Sequence, residues 1–229
     1  MKKWTVDDVM TTKVVTVTPD TPYRALVDTL IEHRVSATPV VDDFLHVLGV
    51  VSEADLLHKI EYADVERPRL FESRHRRAGR AKAAARVAAG LMTAPAVTAL
   101  SGTTIAAATR LMDGRHVKRL PVIDDLGRLI GIVSRGDLLK VHLRPDDEIL
   151  ADVRDGVLRT VLAEDAAAIE VEVTAGVVTL TGNVGRWSVT ELAGRLVRQV
   201  PGVAEVDDRL TFDLDDRAVT AGGFAMGIG

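Results

Sequence analysis

The segment Gly49-Val50-Val51-Ser52-Glu53-Ala54-Asp55 recurs as Gly131-Ile132-Val133-Ser134-Arg135-Gly136-Asp137, an offset of 82 residues. The same offset carries Met10 onto Met92, Thr16 onto Thr98, Pro39 onto Pro121 and Asp42 onto Asp124 without a gap. Repetition at a fixed offset constrains the fold more than any other feature, because repeated units pack on each other to bury a shared core. Each copy alone is too short to bury a good core, so the two must pair. The matched positions include a hydroxyl and a carboxylate, and two similar units therefore imply two similar sites.

Each copy has the same order of elements. In the first, Val14 to Val17 is a short β-branched run suited to a buried strand. Thr21 and Pro22 read as an N-cap followed by proline at the first helical position. Ala25, Leu26, Thr29 and Leu30 then keep helical spacing as far as His33. Thr38 to Val41 is a second strand, Asp42 and Asp43 a turn, Val47 to Val51 a third strand, and Ser52 caps a helix from Glu53 to Ile60. In the second copy Val97 lies in the first strand, Thr103 opens a helix through Met112, and Pro121 to Ile123 forms the next strand. A turn at Asp124 to Gly127, a strand at Leu129 to Val133 and a helix from Ser134 to Val141 complete it. Between the copies, Ala63 to Arg80 lacks periodicity, and Arg80 to Leu91 is an Ala/Arg-rich stretch that predicts a helix. Residues 63–86 are thus a basic linker with a lead-in helix.

Pro145 opens a different pattern. Ile149, Leu150, Val153, Val157, Leu158, Val161 and Leu162 form a helical stripe. Ile169 to Val173 alternates as a half-buried strand does, Ala175-Gly176 is a hairpin turn, and Val178 to Thr181 is a strand that Gly182-Asn183 breaks. Trp187 to Val200 is an amphipathic helix, Pro201-Gly202 stops it, and Val203 to Phe212 is a last strand. The Gly-rich tail, 218–229, is expected to be disordered. The fold class expected is α/β plus α+β: two β-α-β-β-α motifs over 1–62 and 87–144, packed as a pseudo-symmetric pair, then a small α-β-β-α-β domain over 145–217.

Several function classes lack their parts. Cysteine is absent, and the six histidines are scattered with no H-x-H or H-x-x-x-H pair, so no metal site is expected. There is no P-loop, no full dinucleotide fingerprint and no Ser-His-Asp context, so no residue is assigned a catalytic role and an enzyme is not expected. The net charge of −4 argues against a chain-wide nucleic-acid binder. The basic stretch Arg67 to Arg86 keeps open a nucleic-acid-linked regulator, and a structural oligomerisation module with vacant sites is a further alternative. No run approaches the roughly 18 apolar residues of a membrane span. Asp7 and Asp8 stand where a signal peptide needs its apolar stretch, so a cytoplasmic protein is expected.

Ser52-x-x-Asp55 and Ser134-x-x-Asp137, each opening a helix, read first as capping boxes. Three features point beyond capping. The motif occurs twice, it follows the carboxyl end of a strand, where α/β proteins place ligands, and Asp is used both times. A short carboxylate on the first helical turn can accept hydrogen bonds from the two vicinal hydroxyls of a ribose, and the helix N-terminus with its Ser suits a phosphate. The copies are unequal. The second has Arg135 beside Ser134, with His116, Lys118 and Arg119 nearby; the first has Glu53 beside Ser52, with Ala37 and Thr38 at the places of Arg119 and Leu120. A polyphosphate is therefore better matched by the second.

Further signatures accompany this motif. They are the openings Asp8-Val9-Met10-Thr11 and Gly90-Leu91-Met92-Thr93 and the strands Pro39-Val40-Val41-Asp42 and Pro121-Val122-Ile123-Asp124. With them, residues 6 to 60 and 87 to 142 resemble two cystathionine-β-synthase-type (CBS) motifs in a tandem pair. The resemblance implies a regulatory module holding an adenosine-containing ligand (AMP, ADP, ATP, S-adenosylmethionine or NAD) in a central cleft, with no other cofactor. It implies that Asp55 and Asp137 take the ribose hydroxyls, with Ser52 and Ser134 by the phosphate and Arg135 as a charged partner. It further implies that Thr16, Thr98, Ala37, Thr38, Pro39, Arg119, Leu120 and Pro121 belong to adenine-facing walls. Gly176-Val177-Val178-Thr179-Leu180-Thr181-Gly182-Asn183-Val184, the helix from Trp187, Pro201-Gly202-Val203 and Val206 resemble a BON domain, a type associated with phospholipid membranes or protein interactions. Acidic clusters after Pro145 would be repelled by anionic lipid, so a protein partner is expected rather than a membrane. The fusion implies a sensor joined to an output. Small residues Ala106, Ala107 and Ala108 permit close helix approach, and a homodimer is expected.

Overall fold

Residues 3–62, 74–159 and 162–217 are described by the structure, a computed structural model of the chain. The expected linker at Ala63 to Ser73, Val161 of the helical stripe and the tail at 218–229 lie outside the described residues. Two units are distinct: Thr5–Leu138, and the chain from Leu139 together with Trp4.

In the first unit a single 3-10 turn, Val6–Asp8, precedes α1 (Tyr23–Glu32), β1 (Ala37–Val41), β2 (Val47–Ser52) and α2 (Glu53–Glu61). There follow α3 (Arg74–Ala84), α4 (Ala88–Leu91), β3 (Ala99–Leu100), α5 (Ile105–Gly114), β4 (Arg119–Ile123), β5 (Leu129–Ser134) and α6 (Arg135–Leu138). The antiparallel pair β1–β2 runs from Ala37 opposite Ser52, and β4–β5 repeats that register from Arg119 opposite Ser134. The second repeat adds β3 parallel to β4; it lies at Ala99–Leu100, two residues beyond the Val97 expected in it. The first repeat does not form the strand expected at Val14 to Val17; only Val17 bridges Val40. The offset of 82 residues explains the difference: Ser101 donates its amide to Ile123 O at 2.9 Å, whereas its counterpart is Pro19, which has no N–H to give.

The entry segments of the repeats are exchanged. Val6 N donates to Thr103 O at 2.8 Å, and Ala88 N donates to Thr21 O at 2.9 Å. Thr11 and Ile132 exchange amide bonds of 2.9 and 3.0 Å, and Thr93 and Val50 exchange bonds of 2.9 and 3.1 Å. Each of these pairs is its partner pair shifted by 82. Ala88 and Leu91, from the lead-in of the second repeat, are buried in a core with Val17, Leu26, Leu30, Val40, Val51 and Leu56 of the first. The single helix expected over Arg80 to Leu91 is divided for this reason. Arg86 O accepts from Tyr23 N at 2.8 Å and Val87 bridges Pro22, which an unbroken helix could not allow.

The repeated Met and Gly are one contact made twice. A Cβ added to Gly49 would lie 2.6 Å from Met92 Sδ and 3.0 Å from Met92 Cβ, and one on Gly131 would collide with Met10. The helix caps fall one residue later than expected, at Pro22 and Thr104; Thr104 Oγ1 accepts from Ala107 N at 3.3 Å. Ala108 is buried within the unit, so it is not available to a second copy, contrary to the role expected of it. Both hairpins are closed by an aspartate. Asp42 Oδ1 accepts from Phe44 N and His46 N at 2.9 and 2.8 Å, and Asp124 Oδ1 from Leu126 N and Arg128 N at 3.0 and 2.8 Å. The Arg128 amide and guanidinium hold the Asp124 carboxyl below the usual carboxylate range. The left-handed position of these turns is Gly127 (φ 80°) in one repeat and Leu45 (φ 65°) in the other.

The second unit keeps the expected α-β-β-α-β order. Helix α7 (Asp146–Ala151) continues in wider π turns over Asp152–Leu158, followed by β6 (Ile169–Thr174), β7 (Val177–Arg186), α8 (Trp187–Val197) and β8 (Glu205–Leu214). The sheet order is β6-β7-β8, antiparallel then parallel, with α8 as the crossover. Ile149, Val153, Val157, Val171, Val178, Leu180, Ala193 and Val197 make its core. The hairpin turn at Ala175 (φ 51°) and Gly176 (φ 76°) is present, and both amides donate to the Asp146 carboxylate at 2.7 and 2.9 Å. Gly182 does not break β7. It lies within the strand at φ 133°, pressed so closely on the Ala168 carbonyl that a Cβ would collide. Arg144 is buried; its guanidinium donates to Pro201 O at 2.5 Å and to Asp152 Oδ2 at 2.9 Å, and lies 5.3 Å from the Trp4 ring centroid.

Two substitutions test this description by chemical denaturation. Gly49→Ala lowers the unfolding free energy by about 1–3 kcal/mol through overpacking, and adding Met92→Ala recovers part of the loss. Leu45→Gly raises it by about 0.5–1 kcal/mol, because glycine relieves the left-handed backbone and loses only part of that gain to unfolded-chain entropy.

Candidate ligand cleft between the repeats

Each Ser-x-x-Asp motif is a capping box in the structure. Ser52 N and Oγ donate to Asp55 Oδ2 at 2.8 and 2.6 Å, and Ser134 N and Oγ donate to Asp137 Oδ2 at 2.9 and 2.6 Å. The strands β2 and β5 deliver the serines, and the turn into α2 or α6 folds the carboxylate back onto them. The surroundings then differ. Asp55 Oδ1 forms an ion pair with Lys82 Nζ of α3, and that ammonium also donates to Thr93 Oγ1 at 2.7 Å. The side chains of Lys82 and Asp55 are 18% and 11% exposed, so bulk water screens this pair little.

Beside Ser134 the surface opens into a cleft of about 310 Å³ lined by Ser36, Lys118, Arg119, Ser134, Arg135 and Gly136. Arg119 donates from Nε and Nη2 to Ser36 Oγ at 3.2 and 2.6 Å, so the first repeat helps to set a guanidinium of the second. Arg135 donates its amide to Lys118 O at 3.2 Å and Nη2 to Val117 O at 3.3 Å. Three cations and two serines line the cleft with no carboxylate in its wall, a donor set that suits an anion. A second cleft, of about 590 Å³, shares Ser36 and Arg119 with the first and is otherwise walled mainly by Val27, Leu30, Leu56, Leu57 and Ile60.

The other expected site residues stand apart from these clefts. Thr38 is fully buried and donates from Oγ1 to Val15 O at 2.7 Å; Pro39 O accepts from Val17 N at 3.1 Å. Leu120 and Pro121 are buried in β4. These four line neither cleft, because neighbours in a strand point to opposite faces and both faces of β1 and β4 are covered here. Thr16, Ala37 and Thr98 are half-buried and also line neither. The structure thus brings together Arg119, Ser134 and Arg135, with Asp137 held on Ser134, and separately Ser52 and Asp55. Sequence reasoning did not single out Ser36 or Lys82. Ser36 has a detectable signal, since the offset places it opposite Lys118, next to the strand start. Lys82 lies outside the repeated motif and has none. Among the described residues no group of three or more His, Cys, Asp or Glu could hold a metal ion, and no helix is long and apolar enough to cross a membrane.

The CBS domain profile matches residues 6–62 and 87–144. The chain belongs to the CBS-domain family. A BON domain profile matches residues 145–213, so a CBS pair is followed by a BON domain. The CBS domain-containing protein CBSX2, chloroplastic, of Arabidopsis thaliana is 31% identical over 155 residues, covering 62% of this chain and 64% of that protein. Inosine-5'-monophosphate dehydrogenase of Mycobacterium tuberculosis is 26% identical over 208 residues, covering 86% of this chain and 34% of the enzyme. The chain therefore spans less than two thirds of the length of either relative. The crystal structure of CBSX2 in complex with AMP is similar at a TM-score of 0.53 and 30% identity, covering 61% of this chain and 97% of that one.

Proposed function

We propose that this chain is a non-enzymatic regulatory module that binds an adenine nucleotide at the Ser134–Asp137 end of its CBS pair and signals to a protein partner through its BON domain. The observation that carries the reading is the cationic cleft formed by Lys118, Arg119 and Arg135 around Ser134. A phosphate there gains charge-assisted hydrogen bonds from guanidinium groups, while the carboxylate held on Ser134 is the group suited to ribose hydroxyls. The complex of the related CBSX2 with AMP supports the choice of ligand class. Relay follows the chain itself. Asp137 lies on α6, which leads through Leu139–Leu143 to Arg144, whose guanidinium is tied to Pro201 and Asp152. Ligand that orders α6 thereby acts on the residue that anchors the start of the BON unit.

The module acts in the cytoplasm as a homodimer. Support for pairing comes from Ile31, Leu57 and Ile60, which are large, apolar and exposed around the 590 Å³ cleft. Calorimetry on the full chain with AMP tests the nucleotide reading. Asp137→Ala and Arg119→Ala each weaken AMP binding roughly ten- to a hundredfold, the cost of leaving donors and charges unmatched, while the thermal transition stays cooperative. AMP affinity unchanged in both variants overturns it.

A further inference from the structure

We infer that Lys82 is an internal competitor for the second nucleotide position of the CBS pair, holding the Asp55 carboxylate that a ribose would use, and that its ammonium therefore gates this position; this rests on reading Ser-x-x-Asp as a nucleoside site. The two aspartates are held on their serines by matching bonds, so capping does not distinguish them. At Asp55 both oxygens are engaged. Oδ2 already accepts two hydrogen bonds from Ser52, and Oδ1 carries the Lys82 ion pair together with a longer contact from Thr93 Oγ1 at 3.4 Å. A vicinal diol cannot engage this carboxylate while the ammonium stays on Oδ1. A nucleoside at Asp55 must first move Lys82.

Displacement falls to the Lys82 side chain, because the helix that carries it is packed on α2. Helix α3 lies between the repeats in sequence, outside the repeated motif; a Cβ on its Gly79 would lie 3.1 Å from the Tyr62 ring, and Lys59 Nζ donates to Ala83 O and Ala85 O at 3.4 and 3.2 Å. A position available only when the lysine withdraws binds more weakly by the fraction of time it is open, so removing the lysine restores affinity by the inverse of that fraction.

Calorimetry with AMP on the full chain in an Asp137→Ala background tests this, because that substitution weakens the other position. Lys82→Met keeps the aliphatic stem and removes the charge; Lys82→Gln is the second variant should the first fail to fold. Either raises AMP affinity roughly ten- to a hundredfold over Asp137→Ala alone, with one AMP per chain. Adding Asp55→Ala removes the gain. Affinity unchanged by both Lys82 variants overturns the gate. Weaker binding also overturns it, since Lys82 is then a ligand group. The nucleotide reading at Asp137 is judged separately, by whether Asp137→Ala lowers affinity in the chain that retains Lys82.

Discussion

The amide bonds from Val6 to Thr103 and from Ala88 to Thr21 tie the entry segment of each repeat to the body of the other. Everything else in the CBS pair depends on this exchange. It places α4 in the core of the first repeat, and it brings Met10 against Gly131 and Met92 against Gly49. Neither repeat is complete by itself, which resolves the problem that each is too short to bury its own apolar surface. The cleft between the repeats follows from the same exchange. Ser36 of one repeat and Arg119 of the other meet in it because the starts of β1 and β4 are brought together.

Pseudo-symmetry of the backbone coexists with unequal chemistry. The registers of β1–β2 and β4–β5 match residue for residue, and both caps close on aspartate. The charges around them do not match. Lys118, Arg119 and Arg135 surround one serine, whereas Ser36, Ala37 and Glu53 hold the equivalent positions around the other. Into the second arrangement α3 inserts Lys82. A fold that duplicates its scaffold can thus differentiate its two positions through side chains and one intervening helix, at no cost to the shared core.

The element order of both units was legible in the sequence because period-2 and period-3.6 patterns report burial on one face. Errors arose where a local signal met a tertiary demand. The β-branched run Val14 to Val17 makes no ladder because Pro19 withholds the next donor. Gly182 is a close approach to the Ala168 carbonyl rather than a strand end. The Ala/Arg-rich run that favours one helix is broken at Arg86 and Val87, where the chain must pair with Tyr23 and Pro22. At the site, Ser134, Arg135 and Arg119 were visible as motif and charge. Thr38, Pro39, Leu120 and Pro121 are buried because both faces of β1 and β4 are covered, and a local motif does not report what packs on each face.

By itself the sequence determined that the chain carries two like units, a third unit of another type, and a capped aspartate after a strand in each like unit. These are local or periodic properties, written in spacing and in the preferences of single residues. Only the tertiary structure decided which repeat completes which, that Arg119 is set by a serine from the other repeat, and that Lys82 closes on Asp55. Those are contacts between residues far apart in the chain, Ser36 with Arg119 and Asp55 with Lys82, and no periodicity encodes them. They exist because exchanged entry segments fix the distance between the repeats, and that distance is a property of the packed core alone.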